Sequence, residues 1–263
     1  MGWQATNWSD SANWGFAGVP ASGDILVFPA GQPRATNTND LSSRVFNQIR
    51  FAGASGGYAI YGQAFTVTNS IQATNTAGGN VIYNNIALAT VDVTVNVGSG
   101  ASLNLAGALS GSVGLTKSGA GTLRLSGSGS NTYGGNTRVN AGLVELYKVS
   151  MPAATAIPGD LYVGDGANSA TVQLLAGTEI ADVAAVTVRR YGVLDLSGWS
   201  DIIDSLTLIG GAVQSGTGTL TVNGNLATQA SAATASISGR LKFAGGMRTV
   251  TVADGTAFYD LRS

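Results

Sequence analysis

The stretch GTLRLSG at residues 121–127 indicates the fold, because its pattern returns along the chain at nearly even spacing. A small residue is followed by apolar residues at alternate positions, and the seventh position is usually glycine. Close copies begin at residues 101, 170, 192, 218 and 239, a looser copy begins at 142, and weaker echoes begin at 57 and 79. The six steps between residues 101 and 239 average 23 residues. A fixed period in this range predicts a solenoid, in which each unit buries its apolar face against a copy of itself.

The alternation within each copy predicts β-strands. In the stretch above, Leu123 and Leu125 alternate with polar residues, and a period of two is typical of a strand. Three strands of about five residues, joined by turns of two to four, use roughly 20 to 25 residues. We therefore predict an all-β fold, a parallel β-helix with about three strands per rung. Rungs at strand spacing would give a rod roughly 50 Å long.

The composition fits this fold class. Glycine supplies 38 of 263 residues and charged residues only 10%, against typical values of about 7% and about 25%. Repeated tight corners favour glycine, and stacked equivalent side chains disfavour like charges. The 44% hydrophobic content is spread in alternation, so no run of about 18 apolar residues predicts a membrane span.

The charge and the missing residue types exclude several functions. A net charge of −1 with scattered lysines argues against nucleic acid and anionic membranes as partners. The chain has neither cysteine nor histidine, which excludes disulfides, metal sites built on those residues, and His- or Cys-based catalysis. We expect no catalytic, cofactor-binding or metal-binding residues and no cofactor.

A family resemblance rests on the run GLTKSGAGTLRLSGSGSNTYGGNTRVNAGLVELYK, residues 114–148. It resembles the autotransporter-associated β-strand repeat, also called the passenger-associated transport repeat, of bacterial surface proteins. Flanking stretches, such as WSDSANWGFAGVPASGDILVF at 8–28, are similar to segments of the same proteins. The resemblance implies a right-handed β-helical passenger or stalk at the cell surface or outside the cell, and it supplies no catalytic residues. The first ten residues show no signal-peptide pattern.

The chain divides into two regions in this interpretation. Residues 1–45 lack the clean repeat, are rich in proline, and contain Trp3, Trp8 and Trp14. We expect them to form an N-terminal cap over the open end of the solenoid, with a sugar-stacking platform as the alternative. Residues 46–263 form the β-helix stack, with a longer excursion at 148–160. The stack is expected to continue beyond the chain end or to dock to another copy.

Two clusters of polar residues are candidates for a site. The turn at 159–168, with Asp160, Asp165 and Asn168, has the oxygen ligands that calcium prefers, but turn formation explains it equally well. Six charged residues fall within one rung length, and clustered carboxylates would suit a polysaccharide lyase or hydrolase. The alternative is a solvated stripe of paired charges. These six residues are Asp182, Arg189, Arg190, Asp195, Asp201 and Asp204.

The sequence favours a non-catalytic structural role at the cell surface. The last predicted strand, around 257–261, would present an unpaired edge, so the partners expected are further domains of a longer chain or another copy joined head to tail. The alternative is an adhesin or glycan-binding module. That version predicts exposed aromatic side chains, for which the candidates are Trp3, Trp8, Tyr58, Tyr61 and Tyr133.

Overall fold

The computed structural model of the protein describes residues 6–14, 18–31, 35–151, 153–257 and 260–262. Within these residues the chain forms a parallel β-solenoid of 25 strands and one short 3₁₀ helix, Ser11–Trp14. Strands inside the stack pair in parallel with strands one turn before and after them, as where Leu123 lies between Leu103 and Val144. The predicted all-β solenoid is confirmed. No helix in the described part of the chain has the length and apolarity to cross a bilayer.

The strands form two long sheets. The first sheet has 13 strands in the described residues: β1 (Ile25–Pro29), β3 (Arg44–Ala52), β5 (Phe65–Ala73), β7 (Ile86–Leu88), β8 (Val93–Val97), β10 (Leu109–Gly111), β11 (Leu115–Ser118), β13 (Thr137–Val139), β15 (Leu161–Val163), β17 (Ala185–Arg189), β20 (Ser205–Ile209), β22 (Leu226–Thr228) and β24 (Val250–Thr251). The second sheet has 12 strands in the same residues: β2 (Thr36–Asn39), β4 (Ala59–Gly62), β6 (Gly78–Ile82), β9 (Ala101–Leu105), β12 (Thr122–Gly127), β14 (Gly142–Lys148), β16 (Ala170–Leu174), β18 (Gly192–Asp195), β19 (Asp201–Ile203), β21 (Ala212–Val222), β23 (Ala235–Phe243) and β25 (Leu261–Arg262).

A short third face connects the second sheet back to the first in each turn. Near the N-terminal end it is made by the first halves of β3 and β5 together with β7 and β10. Near the other end it is made by β19 and the second halves of β21 and β23. Register shifts within β3–β5 and β21–β23 mark where one strand passes from one face to the next. The turn therefore has three sides, as the repeat length predicts.

Alternate side chains of each strand point into one continuous core. In β8, β9 and β16 every second residue is buried, as the alternation in the sequence predicts. Leucine, isoleucine and valine at equivalent positions lie on one another from turn to turn, as for Val172 between Val144 and Leu194. Burial of such a side chain stabilises the fold by about 1.5–3 kcal/mol. The core thus holds the turns together along the whole stack.

Aromatic residues fill the core near the N-terminal end. Trp8 is fully buried and contacts Trp14, Phe28, Phe46 and Phe65, with ring centroids 5.7–6.0 Å apart. This burial removes Trp8 from any sugar-stacking platform, and Trp3 lies outside the described residues. Strands already stack within the predicted cap region, since β1 pairs with β3 and β2 pairs with β4.

The diagnostic motif at 114–148 uses its polar residues inside the fold. The buried Lys117 ammonium donates to the carbonyls of Ser118, Gly119 and Ala141, at 2.6–3.0 Å. The hydroxyls of Tyr133 and Thr137, both buried, lie 2.6 Å apart and share a hydrogen bond. These polar residues of the motif therefore bond to other groups inside the fold.

Asn131 of the same motif joins three successive turns. Its Oδ1 accepts a hydrogen bond from the Leu109 amide at 2.8 Å, and its Nδ2 donates to the Ala156 carbonyl at 2.8 Å. The side chain is buried, so both bonds are shielded from water. Asn131 thus ties the preceding and following turns to its own on the third face.

Candidate functional site

The six charged residues of the predicted cluster lie on different faces. Asp195 points outward from β18 and accepts from the Ser197 amide at 2.7 Å, while Asp201 is buried on the third face. Arg189 and Arg190 lie where the first sheet turns into the second, and the Arg190 guanidinium stacks over the Tyr191 ring at 4.4 Å. Asp182 and Asp204 lie at turns that lead into the first sheet. Among the described residues, no ion pair joins members of this set, so the structure gathers no acid–base pair here.

Three buried charged residues form a second group, Lys148, Glu179 and Asp201, of which only Asp201 belongs to the predicted cluster. The Asp201 carboxylate accepts from the backbone amides of Glu179 and Ile180, at 2.9 and 3.2 Å. Glu179 Oε1 accepts from the Lys148 amide at 2.7 Å, and Glu179 Oε2 is buried without a hydrogen-bond partner. The Lys148 ammonium reaches back to the Gly107 carbonyl at 3.0 Å. These contacts link turns under the excursion that follows β14.

Burial shifts the pKa values of all three groups. Removal from water raises the pKa of Glu179 to about 8, against its ordinary 4.5. Burial likewise raises the pKa of Asp201 to about 6, although three backbone amides that donate to it act in the opposite direction. Burial lowers the pKa of Lys148 to about 8. Burial thus favours the neutral forms of all three side chains.

The stability of the chain is therefore expected to fall between about pH 4 and about pH 8. Both carboxyl pKa values are raised in the folded state, so their contribution is fully present below the unfolded values, 4.5 and 3.8, and is lost as the pH rises through 8 and 6. In Glu179→Gln, the free energy of unfolding should fall over that pH range by on the order of 2 kcal/mol less than in the unchanged chain. Urea unfolding at a series of pH values measures this. Asp254→Asn, which replaces an exposed carboxylate, is the control, and an unchanged profile in Glu179→Gln would contradict the assignment.

The predicted calcium turn is organised by its own hydrogen bonds. Asp165 Oδ1 accepts from the amides of Ala167 and Asn168, both at 2.8 Å, and Oδ2 accepts from the Asn168 side chain at 2.8 Å. These donors hold the pKa of Asp165 below its ordinary value. Asp160 accepts from the Ala185 amide, one turn away. Among the described residues, no group of three acidic side chains is placed to hold a metal ion.

Most exposed aromatic residues line one edge of the solenoid, where the second sheet turns into the third face. Tyr61 and Tyr83 stack face to face there, with centroids 4.4 Å apart and planes 8° apart. Tyr147 and Trp199 lie further along the same edge. We call this edge the aromatic edge.

Two of the tyrosines predicted to be exposed are buried instead. Tyr58 is buried under Phe28 and Phe51 and donates to the Pro29 carbonyl, and Tyr133 is buried in the motif described above. The expectation of exposure was wrong for both because each phenol ring packs inward, where its hydroxyl finds a partner. Of the described candidates for an aromatic binding surface, Tyr61 remains.

A groove of about 420 Å³ lies beside the aromatic edge on the outer face of the second sheet. Small residues form much of its floor, including Gly79 and Ser102, and Asn104 lies beside them. Arg124 and Glu145 close one end with an ion pair of 2.7 Å. The Arg124 guanidinium also lies 6.0 Å from the Tyr147 ring. The groove therefore presents uncharged hydrogen-bonding groups and a neutralised ion pair.

The sequence contained signals for the residues that were missed. Tyr83 was missed, yet it occupies the same position in the copy that begins at 79 as the candidate Tyr61 does in the copy that begins at 57, and equivalent positions stack in a solenoid. Lys148 stands where most copies have glycine, which marks it as unusual. Glu179 gave no signal, since its burial depends on how the excursion packs.

Comparisons with known proteins agree with this structure. The family model described as passenger-associated-transport-repeat matches residues 115–146. The chain is also 35% identical over 236 residues to the adhesin BmaC autotransporter of Brucella suis biovar 1 (strain 1330). That alignment covers 81% of this chain and 6% of the relative. No solved structure matches the chain. The chain is thus a β-solenoid that contains one passenger-associated-transport-repeat, at residues 115–146.

Proposed function

We propose that this chain is a non-catalytic part of a bacterial cell-surface passenger, where it extends and displays the protein to which it belongs. The observation that carries the proposal is that buried polar side chains of the diagnostic motif bond to the fold itself, and that two of them, Lys117 and Asn131, join successive turns. Lys117, Asn131 and Tyr133 all bond to groups of the fold itself. A repeat whose polar side chains bond within the fold is suited to building a rod rather than to catalysis.

The direction of the backbone hydrogen bonds suits a mechanical role. In a parallel solenoid these bonds run between turns, along the long axis, at about 4.8 Å per turn. A force along the axis is therefore shared by every bond of a turn. Asn131 and Lys117 add side-chain bonds between turns in the same direction.

Labelling of cells tests the location. An antibody raised against this chain should label intact cells of the organism that makes it, without permeabilisation. An antibody against a cytoplasmic protein serves as the negative control. Labelling that requires permeabilised cells would overturn the surface assignment.

The absence of catalysis is tested with substrates. The separation of Asp195 and Asp201 on different faces argues against the polysaccharide-cleaving alternative. We expect no new reducing or unsaturated ends when the chain is incubated with a panel of polysaccharides. Cleavage that disappears in Asp195→Asn would contradict a purely structural role.

Self-association is a second candidate function, favoured by the ends of the first sheet. Among the described residues, β24 pairs only with β22, and β1 pairs only with β3. Val250 of β24 is half exposed. An unpaired edge is a template for another strand, and joining β24 of one copy to β1 of the next would build filaments.

Sedimentation at increasing concentration tests the filament. We expect species larger than one chain that grow with concentration, and we expect Val250→Lys to reduce them, since a charge on an edge strand opposes pairing. Val183→Lys, at an exposed turn, is the control. A strictly monomeric chain at high concentration would rule self-association out.

A further inference from the structure

Among the described residues, the exposed Tyr83 ring stacks on one aromatic ring, that of Tyr61, which covers one of its two faces. The register of β6 with β9 and of β9 with β12 places Ala106 and then Ser126 at the equivalent positions of the next two turns. Both residues are small, and the next ring in this row is Tyr147. Three turns at strand spacing put about 14 Å between the two tyrosines, so the other face of Tyr83 opens onto a gap.

The groove lies directly beside this gap. Val81, in the groove, is two residues before Tyr83 on the same outward face, and Asn104 and Arg124 follow it from turn to turn. Ser126 donates a 2.8 Å hydrogen bond to Asn104 Oδ1, so the Asn104 Nδ2 protons point away from Ser126. An aromatic face and planar hydrogen-bonding groups are thus side by side.

The charges of the groove residues limit the class of ligand that the groove can bind. The Arg124–Glu145 ion pair is partly shielded, with Glu145 17% exposed, and the other groove residues are uncharged. A charged ligand would find no uncompensated partner, and a purely apolar ligand would leave the Asn104 Nδ2 protons and the Ser102 hydroxyl without hydrogen-bond partners. A pyranose sugar has an apolar face that packs on an aromatic ring, and its rim hydroxyls accept and donate hydrogen bonds.

We propose that the gap between Tyr83 and Tyr147, together with the adjoining groove, binds a neutral oligosaccharide. One sugar ring stacks on the other face of Tyr83 above Ala106, and neighbouring hydroxyls bond to Asn104 and the Arg124–Glu145 pair. This site does not depend on the stalk role proposed above, because a stalk without a sugar site remains a stalk.

Titration with defined sugars tests the site. The probes are cellohexaose, laminarihexaose, mannohexaose and chitohexaose, with heparin as the acidic comparison, measured by isothermal calorimetry or NMR. We expect at least one neutral hexasaccharide to bind in the millimolar range or tighter. Tyr83→Ala should weaken that binding about tenfold, as loss of an aromatic stacking partner does, while Tyr83→Phe should retain it.

Tyr191→Ala is the matched control, because Tyr191 is 46% exposed and Tyr83 is 47% exposed, on different edges. Its binding should equal that of the unchanged chain. The proposal is overturned if no neutral probe binds at 10 mM, a concentration of about the order that the weakest specific sugar sites require. It is equally overturned if Tyr83→Ala and Tyr191→Ala behave alike, or if heparin is the preferred ligand.

Discussion

Lys117→Met is expected to lower the free energy of unfolding by about 3 kcal/mol. The methionine side chain fills a similar volume but cannot donate hydrogen bonds. The three carbonyls that now accept from the ammonium, those of Ser118, Gly119 and Ala141, would stay buried without that donor. Urea unfolding followed by circular dichroism measures the change.

Lys242→Met is the matched control, since Lys242 is exposed on β23. Its effect should stay within about 0.5 kcal/mol. Burial lowers the pKa of Lys117 to about 8, so the unfolded state binds more protons than the folded state between pH 8 and the ordinary value of 10.5. The unchanged chain should gain stability over that range, and Lys117→Met should gain less. Equal losses of unfolding free energy in Lys117→Met and Lys242→Met would show that the Lys117 ammonium does not stabilise the turn between β11 and β12.

Gly127→Ala is expected to cost even more, about 4 kcal/mol, because two penalties act at once. Gly127 ends β12 with a φ of +92°, a conformation that L side chains rarely adopt. A Cβ at this position would also collide with the Ala106 carbonyl oxygen of the preceding turn. That oxygen belongs to the backbone, so it cannot move without separating two turns.

Gly166→Ala separates the two penalties. Gly166 has a similar φ of +86°, but a Cβ there meets no atom within 4 Å. We expect it to cost about 1 kcal/mol from backbone strain alone. Thermal or urea unfolding of the two variants gives the difference, which reports the close approach of successive turns. Similar losses in both would mean that the turns are not in tight contact at Gly127.

The fold could be predicted from the sequence because its signal is local and repeated. Leu123 and Leu125 alternate with polar residues, and the same pattern returns in the next turn, so strand direction and register follow together. The first strands were harder to predict. Residues 25–29 form a short apolar run outside the repeat, and only their pairing with β3 makes them part of the stack.

The candidate sites were less predictable because nearness in sequence does not fix which way a side chain points. Asp195 and Asp201 are six residues apart, yet one points outward from the second sheet and the other is buried on the third face. A turn between them changes the face. Tyr61 and Tyr83 show the opposite case, since 22 residues separate them in sequence and their rings are in contact.

The third face changes its attachment along the molecule. It joins the first sheet through β3 and β5 at one end and the second sheet through β21 and β23 at the other. Between Gly111 and Asp201, no named strand of the described residues lies on this face. It is held there by bonds such as Asn131 to Ala156 and the bridge between Ile157 and Ile180. The amide protons of this irregular stretch are therefore expected to exchange with solvent sooner than those of the two long sheets.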